Sequence, residues 1–282
     1  MFATRGKSRD PDVRGVIATA DDGTRLHYIV EGSGPPIVLV GGKTSSIDGA
    51  WWRYIPALAQ RLKVIALDNR GAGESGKPDV PYSTALMAND ALAVVHAAGE
   101  TSAHWFGVSL GGMILQQLAL DHPDAVRSLI LAATSCGGER KAPAPVNLPE
   151  LADNPLRRYA NLYAPEFILE HPDWVAEDAK HFGKMPLHAI VRQDQAGNQH
   201  NVCDHLGQIR RPVLILHGTQ DRTVPLSRGQ ELQQRLPDAR LQVFEGSGHQ
   251  LHSERFTEVL PLVLNFVEEV EARRLSRSPA GG

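Results

Sequence analysis

Short apolar runs alternate along this chain with longer stretches in which apolar residues recur at helical spacing. The apolar runs predict strands at 15–19, 25–30, 36–40, 63–67, 103–106, 126–132, 213–216 and 241–244. The helical spacing predicts helices at 52–61, 84–98, 110–121, 227–236 and 254–273. Buried strands that alternate with helices are typical of a parallel sheet covered on both faces, so the pattern predicts an α/β fold. The first two strands flank Asp21-Asp22-Gly23, a hairpin signal that makes this pair antiparallel.

The composition is that of an ordinary globular protein, with 42% hydrophobic and 22% charged residues in a chain of 282. A formal net charge of −3 and the lack of a basic stripe argue against nucleic acid as a partner. No apolar stretch is long enough to span a bilayer, and residues 1–12 lead into no signal-peptide core. The two cysteines, Cys136 and Cys203, lie far apart in sequence; because no secretory signature is visible, we expect reduced thiols and a cytoplasmic location.

One serine has the sequence context of a nucleophile. Residues 107–112 (GVSLGG) follow the predicted strand 103–106 and lead into the predicted helix 110–121. In a strand–turn–helix of the form G-x-S-x-G the turn is so tight that residues two before and two after the serine collide unless they lack side chains. The motif therefore predicts that Ser109 presents its hydroxyl at the edge of the sheet and that the Leu110 amide points to the same place.

A serine hydroxyl is a weak nucleophile without a base, and two further strand ends supply candidates. His249 follows the predicted strand 241–244, and Asp221 follows the predicted strand 213–216. A competing acid would lie after the sixth strand, but that place is taken by Thr134-Ser135. All three residues come just after strands, where a parallel sheet gathers its active site. The sequence thus predicts a catalytic set in the order Ser109, Asp221, His249.

These motifs resemble those of the α/β-hydrolase superfamily, in its serine-nucleophile branch. The chain order Ser, Asp, His is that of the superfamily. Residues 68–75 (DNRGAGES) are similar to its D-x-R-G-x-G-x-S stretch, and residues 249–254 (HQLHSE) are similar to its histidine loop. The resemblance runs from about residue 14 to residue 270. The aspartate-nucleophile branch, which includes epoxide and haloalkane hydrolases, is disfavoured because position 109 is serine.

The resemblance implies a mostly parallel eight-stranded sheet flanked by helices, with a helical cap inserted after the sixth strand. Residues 139–208, rich in proline and short helical patterns, lie at that place. We therefore predict a core of residues 1–138 and 209–282 and a cap of residues 139–208. The resemblance also implies an oxyanion hole made by the Lys43 and Leu110 amides. The superfamily commonly has His-Gly after the third strand, where this chain has Gly41-Gly42-Lys43.

Three other motifs partly match patterns of cofactor or metal binding. Residues 71–76 match G-x-G-x-x-G, but KPDVP follows where a dinucleotide site needs a helix. Gly42-Lys43-Thr44 resembles the end of a phosphate loop, yet Ile37 stands where that loop needs glycine. The cluster of His200, Cys203, Asp204 and His205 fits no zinc spacing. We therefore expect neither cofactor nor metal.

The resemblance is strongest to small bacterial enol-lactonases and esterases with a short helical cap. It implies hydrolysis of an ester or lactone of a small metabolite, and the apolar content of the predicted cap favours a hydrophobic substrate. Three alternatives stay open: a cofactor-free haloperoxidase, a carbon–carbon-bond hydrolase, and a non-hydrolytic ligand-binding or biosynthetic cyclase member of the fold. The Lys43 side chain either attracts an anionic substrate or points to solvent. The expected partner is a small-molecule substrate, and a homodimer is left open.

Overall fold

The computed structural model describes residues 15–138, 151 and 153–277. An eight-stranded sheet has the order β1-β2-β4-β3-β5-β6-β7-β8. Its strands are β1 Val16–Thr19, β2 Arg25–Glu31, β3 Pro36–Val40, β4 Lys63–Leu67, β5 Ala103–Val108, β6 Val126–Ala132, β7 Val213–Gly218 and β8 Ala239–Phe244. The predicted α/β fold is confirmed, and each predicted strand is present with its bounds shifted by no more than two residues.

The register of the sheet explains why apolar runs predicted it well. β1 pairs with β2, and β2 with β4, in antiparallel fashion, so the predicted hairpin is confirmed. The other neighbouring strands are parallel. β3, β5 and β7 are buried along their whole length, as expected for central strands covered by helices on both faces. Their carboxyl ends consequently meet at one edge of the sheet.

The described helices are α1 Ile47–Trp51, α2 Tyr54–Leu58, α3 Thr84–Ala97, α4 Leu110–Asp121, α5 Pro165–Glu170, α6 Pro172–His181, α7 Leu187–Gln199, α8 Leu226–Arg235, α9 Leu251–Glu254 and α10 Phe256–Arg277. The predicted helix 52–61 is wrong, because α1 begins earlier and α2 follows it. The Ser46 side chain caps α1 by accepting a hydrogen bond from the Gly49 amide, and Pro56 lacks the amide that one continuous helix would need. The predicted helix 254–273 corresponds to α10, which runs from Phe256 to Arg277, and the short helix α9 precedes it.

Two apolar clusters form the core, one on each face of the sheet. The cluster on one face lies between the sheet and helices α3 and α4, and it includes Trp105, Met113 and Leu115. The cluster on the other face lies between the sheet and helices α1, α2 and α10, and it includes Trp51 and Phe106. In the described ranges no helix combines the length and apolarity required to cross a membrane.

The segment of residues 139–208, called here the insertion, lies between β6 and β7. Its described part contains α5, α6 and α7. A third apolar cluster lies within it and includes Leu151, Tyr163, Ile168 and Val175, all fully or nearly fully buried. Residues 139–150 and 152 of the predicted cap lie outside the described residues. The division of the chain into a core and a cap remains a prediction.

The prediction of reduced thiols is wrong, because Cys136 and Cys203 form a disulfide across a sequence separation of 67 residues. Cys136 follows β6 and Cys203 precedes β7, and these two strands are neighbours in the sheet. The chain therefore leaves and re-enters the sheet at adjacent places. The Val202 amide donates to the Cys136 carbonyl at 2.8 Å, which holds the two ends together beside the disulfide.

Candidate active site

Ser109 occupies a sharp turn between β5 and α4. Its φ of 54° and ψ of −116° are unusual for a residue with a side chain and cost about 1–3 kcal/mol. Neighbouring groups hold this conformation from both sides. The Ser109 amide donates to the Ala132 carbonyl at 2.9 Å, and the Thr134 hydroxyl donates to the Ser109 carbonyl at 2.7 Å. The backbone conformation is that of the nucleophile elbow that the G-x-S-x-G motif predicts.

The glycines of the motif allow backbones to meet at the elbow. A Cβ at Gly107 would lie 2.7 Å from the carbonyl carbon of Gly111. A Cβ at Gly111 would lie 2.1 Å from the carbonyl oxygen of Val40, at the end of β3. These contacts involve backbone atoms, which cannot swing away as a flexible side chain does. Both glycines are therefore required for the first turn of α4 to pack between β5 and β3.

Asp221 and His249 are joined by a hydrogen bond of 2.8 Å between Asp221 Oδ2 and His249 Nδ1. The other carboxylate oxygen of Asp221 accepts from the amides of Thr223 at 2.9 Å and Val224 at 2.8 Å. Asp221 is only 5% exposed and His249 only 6%. The two amides fix which oxygen faces the imidazole, so the carboxylate holds His249 in the tautomer with a proton on Nδ1.

His217 lies beneath this pair and contributes no positive charge to it. Its Nε2 donates to the Val224 carbonyl at 2.8 Å and is 3.6 Å from Asp221 Oδ2. Burial lowers the pKa of His217, with the nearby His249 adding to the effect, so its ring is neutral. His217 consequently does not compete with His249 for the Asp221 carboxylate as a second cation.

The loop that carries His249 is tied to the insertion. The Gln250 amide donates to the Leu162 carbonyl at 2.7 Å. The Glu254 carboxylate accepts from the amides of Gly248 and Ala164, at 3.0 to 3.1 Å. Sequence reasoning did not identify Glu254 as a residue of the site. The local signal was a carboxylate at the start of the predicted helix 254–273, but its partner Ala164 is 90 residues away in sequence.

The loop after β3 carries Lys43, whose amide is the predicted oxyanion donor. The Lys43 side chain is neither unpaired in solvent nor an unpaired positive charge that could bind a substrate. Its Nζ donates to Asp194 Oδ1 of α7 at 2.7 Å. Leu110, the other predicted donor, is the first residue of α4, and the amides of a first helical turn lack partners within the helix. Gly42 lies close to Ser109, since a Cβ built on Gly42 would be 3.3 Å from the Ser109 Cβ.

The structure thus places each predicted site residue at the carboxyl edge of the sheet and bonds two of them directly. Ser109, Asp221 and His249 follow β5, β7 and β8. The Ser109 hydroxyl is half-buried and has no hydrogen-bond partner among the described residues. In those same ranges, Cys136, Cys203 and Glu231 are the one group of three metal-capable side chains close together, and its sulfurs are bonded to each other.

This sheet, with a serine elbow at its carboxyl edge, defines an α/β-hydrolase. The chain belongs to the family of serine aminopeptidase S33, whose family model matches residues 53–255, and it is a hydrolase.

Three known proteins illustrate the relationship. The chain is 32% identical to a putative carbamate hydrolase RutD of Azorhizobium caulinodans over 252 residues, which cover 85% of this chain and 92% of the relative. The solved structure of Est816, an N-acyl homoserine lactone degrading enzyme, is 28% identical with a TM-score of 0.77, over 89% of this chain and 100% of that one. The solved structure of a hydrolase from Pseudomonas aeruginosa shares the fold, with a TM-score of 0.79 and 24% identity, over 91% of this chain and 99% of that one.

Proposed function

We propose that this protein is a serine hydrolase that cleaves an ester or lactone of a small hydrophobic metabolite. Ser109 is the nucleophile, His249 the general base and acid, and Asp221 the residue that orients the imidazole. The observation that carries the proposal is the 2.8 Å bond between Asp221 and His249 at the sheet edge where the elbow presents Ser109.

The reaction follows from the chemistry of these three groups. Ser109 Oγ attacks the carbonyl carbon while His249 Nε2 accepts the hydroxyl proton, and the carbonyl oxygen becomes an oxyanion. The bond to the leaving oxygen then breaks, and His249 gives the same proton to that oxygen. Water next attacks the acyl-Ser109 carbonyl, with its proton passing to His249. When the acyl–serine bond breaks, His249 returns a proton to Ser109 and the acid leaves.

The Lys43 and Leu110 amides are proposed to stabilise the oxyanion. Both belong to segments that border Ser109: Lys43 follows Gly42, where an added Cβ would lie 3.3 Å from the Ser109 Cβ, and Leu110 follows Ser109 directly. Donors that are already in place cost no reorganisation when the charge develops. One such donor is worth roughly 3–4 kcal/mol of the activation barrier.

Two of the relatives named above support the substrate class. A carbamate and a lactone both present a carbonyl carbon bonded to a heteroatom leaving group, which is the kind of bond that an acyl-serine mechanism cleaves. The partly buried apolar residues of the insertion favour a hydrophobic acyl or ring system; they include Leu156, Tyr159, Leu162, Phe167 and Phe182. A cytoplasmic location and a homodimer remain predictions.

The proposal is tested by labelling with a fluorophosphonate probe, which reacts with an activated serine. We expect label on wild-type protein, none on Ser109→Ala, and normal label on Ser227→Ala, a control at an exposed serine. Hydrolysis of short and long acyl esters, lactones, carbamates and β-diketones is then compared between the wild type and Ser109→Ala. Turnover in the variant should fall by a factor on the order of 10⁴–10⁶. An unlabelled wild type would favour a binding or cyclase role, whereas a Ser109→Ala variant that keeps its turnover would show that the reaction is not serine-based.

A further inference from the structure

Gln193 of α7 reaches from the insertion to the loop that carries Lys43. Its side chain is 0% exposed, and its carboxamide contacts two separate backbone segments. Oε1 accepts a hydrogen bond from the Thr44 amide at 2.8 Å, and Nε2 donates to the Arg70 carbonyl at 2.9 Å. The two partners fix the orientation of the amide, because one needs an acceptor and the other a donor. Gln193 therefore fastens the loop after β3 to the loop after β4.

The residue that Gln193 holds has a strained backbone. Thr44 has a φ of 62°, a left-handed conformation that is unfavourable for a β-branched residue. Its hydroxyl donates to the Lys43 carbonyl at 2.6 Å. The peptide between Lys43 and Thr44 is thus held at its carbonyl by Thr44 and at its amide by Gln193. Without these bonds the strain would favour another orientation of this peptide.

The orientation of that peptide matters because the Lys43 amide belongs to the preceding peptide, and the two peptides are joined through the Lys43 Cα. On its other side Lys43 is joined to Gly42, which lies close enough to Ser109 that an added Cβ would be 3.3 Å from the Ser109 Cβ. The Lys43–Asp194 ion pair also links this loop to α7, but both side chains are more than 40% exposed, with values of 45% and 42%. A surface pair of this kind contributes little. The buried carboxamide of Gln193 is the stronger restraint, since its loss would leave the partly buried Thr44 amide without a partner.

We propose that Gln193 is a positioning residue that holds the Lys43 amide in its oxyanion-binding orientation. The inference rests on the proposed function, because an oxyanion hole has meaning only for attack by Ser109. It makes the insertion part of the catalytic apparatus: the hole is complete only while α7 is seated on the loop after β3. Catalysis and the docking of α7 are then coupled through one side chain.

The test measures turnover per active site in Gln193→Met, which keeps the length of the side chain and removes both hydrogen bonds. Active sites are counted by titration with the fluorophosphonate probe. We expect kcat per titrated site to fall about 10- to 100-fold with KM changed less than about threefold, because the oxyanion forms after substrate binding. Gln193→Glu, which keeps the acceptor for the Thr44 amide, should recover most of kcat. Gln199→Ala, at an exposed position of the same helix, should match the wild type.

Three results would overturn the inference. If Gln193 only stabilises the fold, the variant will contain fewer titratable sites and each will turn over at the wild-type rate. If Gln193→Met does not fold, Gln193→Leu, which also removes both hydrogen bonds, is compared with Gln193→Glu; equal kcat per site in these two variants would refute positioning. An unlabelled wild-type protein would overturn the proposed function together with this inference, whereas normal wild-type labelling with unchanged variants overturns the inference alone.

Discussion

The Glu254 carboxylate accepts the backbone amide of Gly248, the residue immediately before His249, with both of its oxygens within 3.1 Å. The same carboxylate accepts the Ala164 amide at 3.0 Å. One buried side chain thus fastens the histidine loop to the insertion. Burial raises the pKa of Glu254 to about 7, against the opposing effect of the two amides and of Arg255. This group consequently makes stability depend on pH near neutrality.

The first prediction concerns the pH dependence of stability. The folded pKa of Glu254 lies above its unfolded value, so as pH rises from 4.5 towards 7 the unfolded chain ionises first and the folded state loses stability. The loss is on the order of 3 kcal/mol in full. Glu254→Gln removes it. The difference in unfolding free energy, variant minus wild type, should therefore increase between about pH 5 and about pH 8 in urea titrations. A difference that is constant or decreases with pH would contradict the assignment.

The second prediction concerns Asp221→Asn. The Thr223 and Val224 amides require an acceptor, so the side-chain oxygen of the asparagine will face them and its NH₂ group will face His249. A donor at that place favours the wrong imidazole tautomer. We expect turnover to fall by about 10⁴-fold without loss of fold, measured as kcat alongside circular dichroism. A loss below about tenfold would mean that another group orients His249.

The third prediction concerns Gly111→Ala at the elbow. Alanine is a better helix former than glycine by about 1 kcal/mol, so an exposed site would gain stability. At position 111 the new Cβ would lie 2.1 Å from the Val40 carbonyl oxygen, and the first turn of α4 must shift. We expect a net loss of about 1–3 kcal/mol or more in unfolding free energy and a fall in fluorophosphonate labelling. Gly207→Ala, where nothing lies within 4 Å of the added atom, is the matched control.

The fourth prediction concerns the disulfide between Cys136 and Cys203. It closes a loop with a sequence separation of 67 residues, so its loss gives the unfolded chain more freedom. The double variant Cys136→Ser, Cys203→Ser should be less stable by about 2–4 kcal/mol in urea titrations. A reductant should lower the unfolding free energy of the wild type to that of the double variant, and it should leave the unfolding free energy of the double variant unchanged. Equal stability of the two proteins without reductant would show that the bridge contributes nothing.

Local patterns in the sequence predicted the fold and the strand-end residues. Strands such as β3 and β5 are continuous apolar runs because both faces are covered, and the elbow needs small residues at Gly107 and Gly111 because backbones meet there. Each signal lies within a few neighbouring residues. The order of Ser109, Asp221 and His249 then identified the superfamily.

Contacts between distant parts of the chain were not predictable in this way. Gln193 meets Thr44 across 149 residues, and Cys136 meets Cys203 across 67. Neither glutamine nor a lone pair of cysteines has a local pattern that reveals its partner. The break between α1 and α2 has another cause. Apolar spacing alone predicts one helix, whereas the proline at position 56 lacks the amide that one continuous helix would need.

The neighbouring exits of the chain at β6 and β7 have an evolutionary consequence. Both ends of the insertion leave the sheet side by side and are hydrogen-bonded to each other there. Residues can therefore be added to or removed from the insertion without moving any strand. Ser109, Asp221 and His249 belong to loops outside the insertion, which such changes do not interrupt. A lineage built on this plan can remodel one excursion of the chain while the sheet stays unchanged, as long as the contacts of Gln193 with Thr44 and of Ala164 with Glu254 are kept.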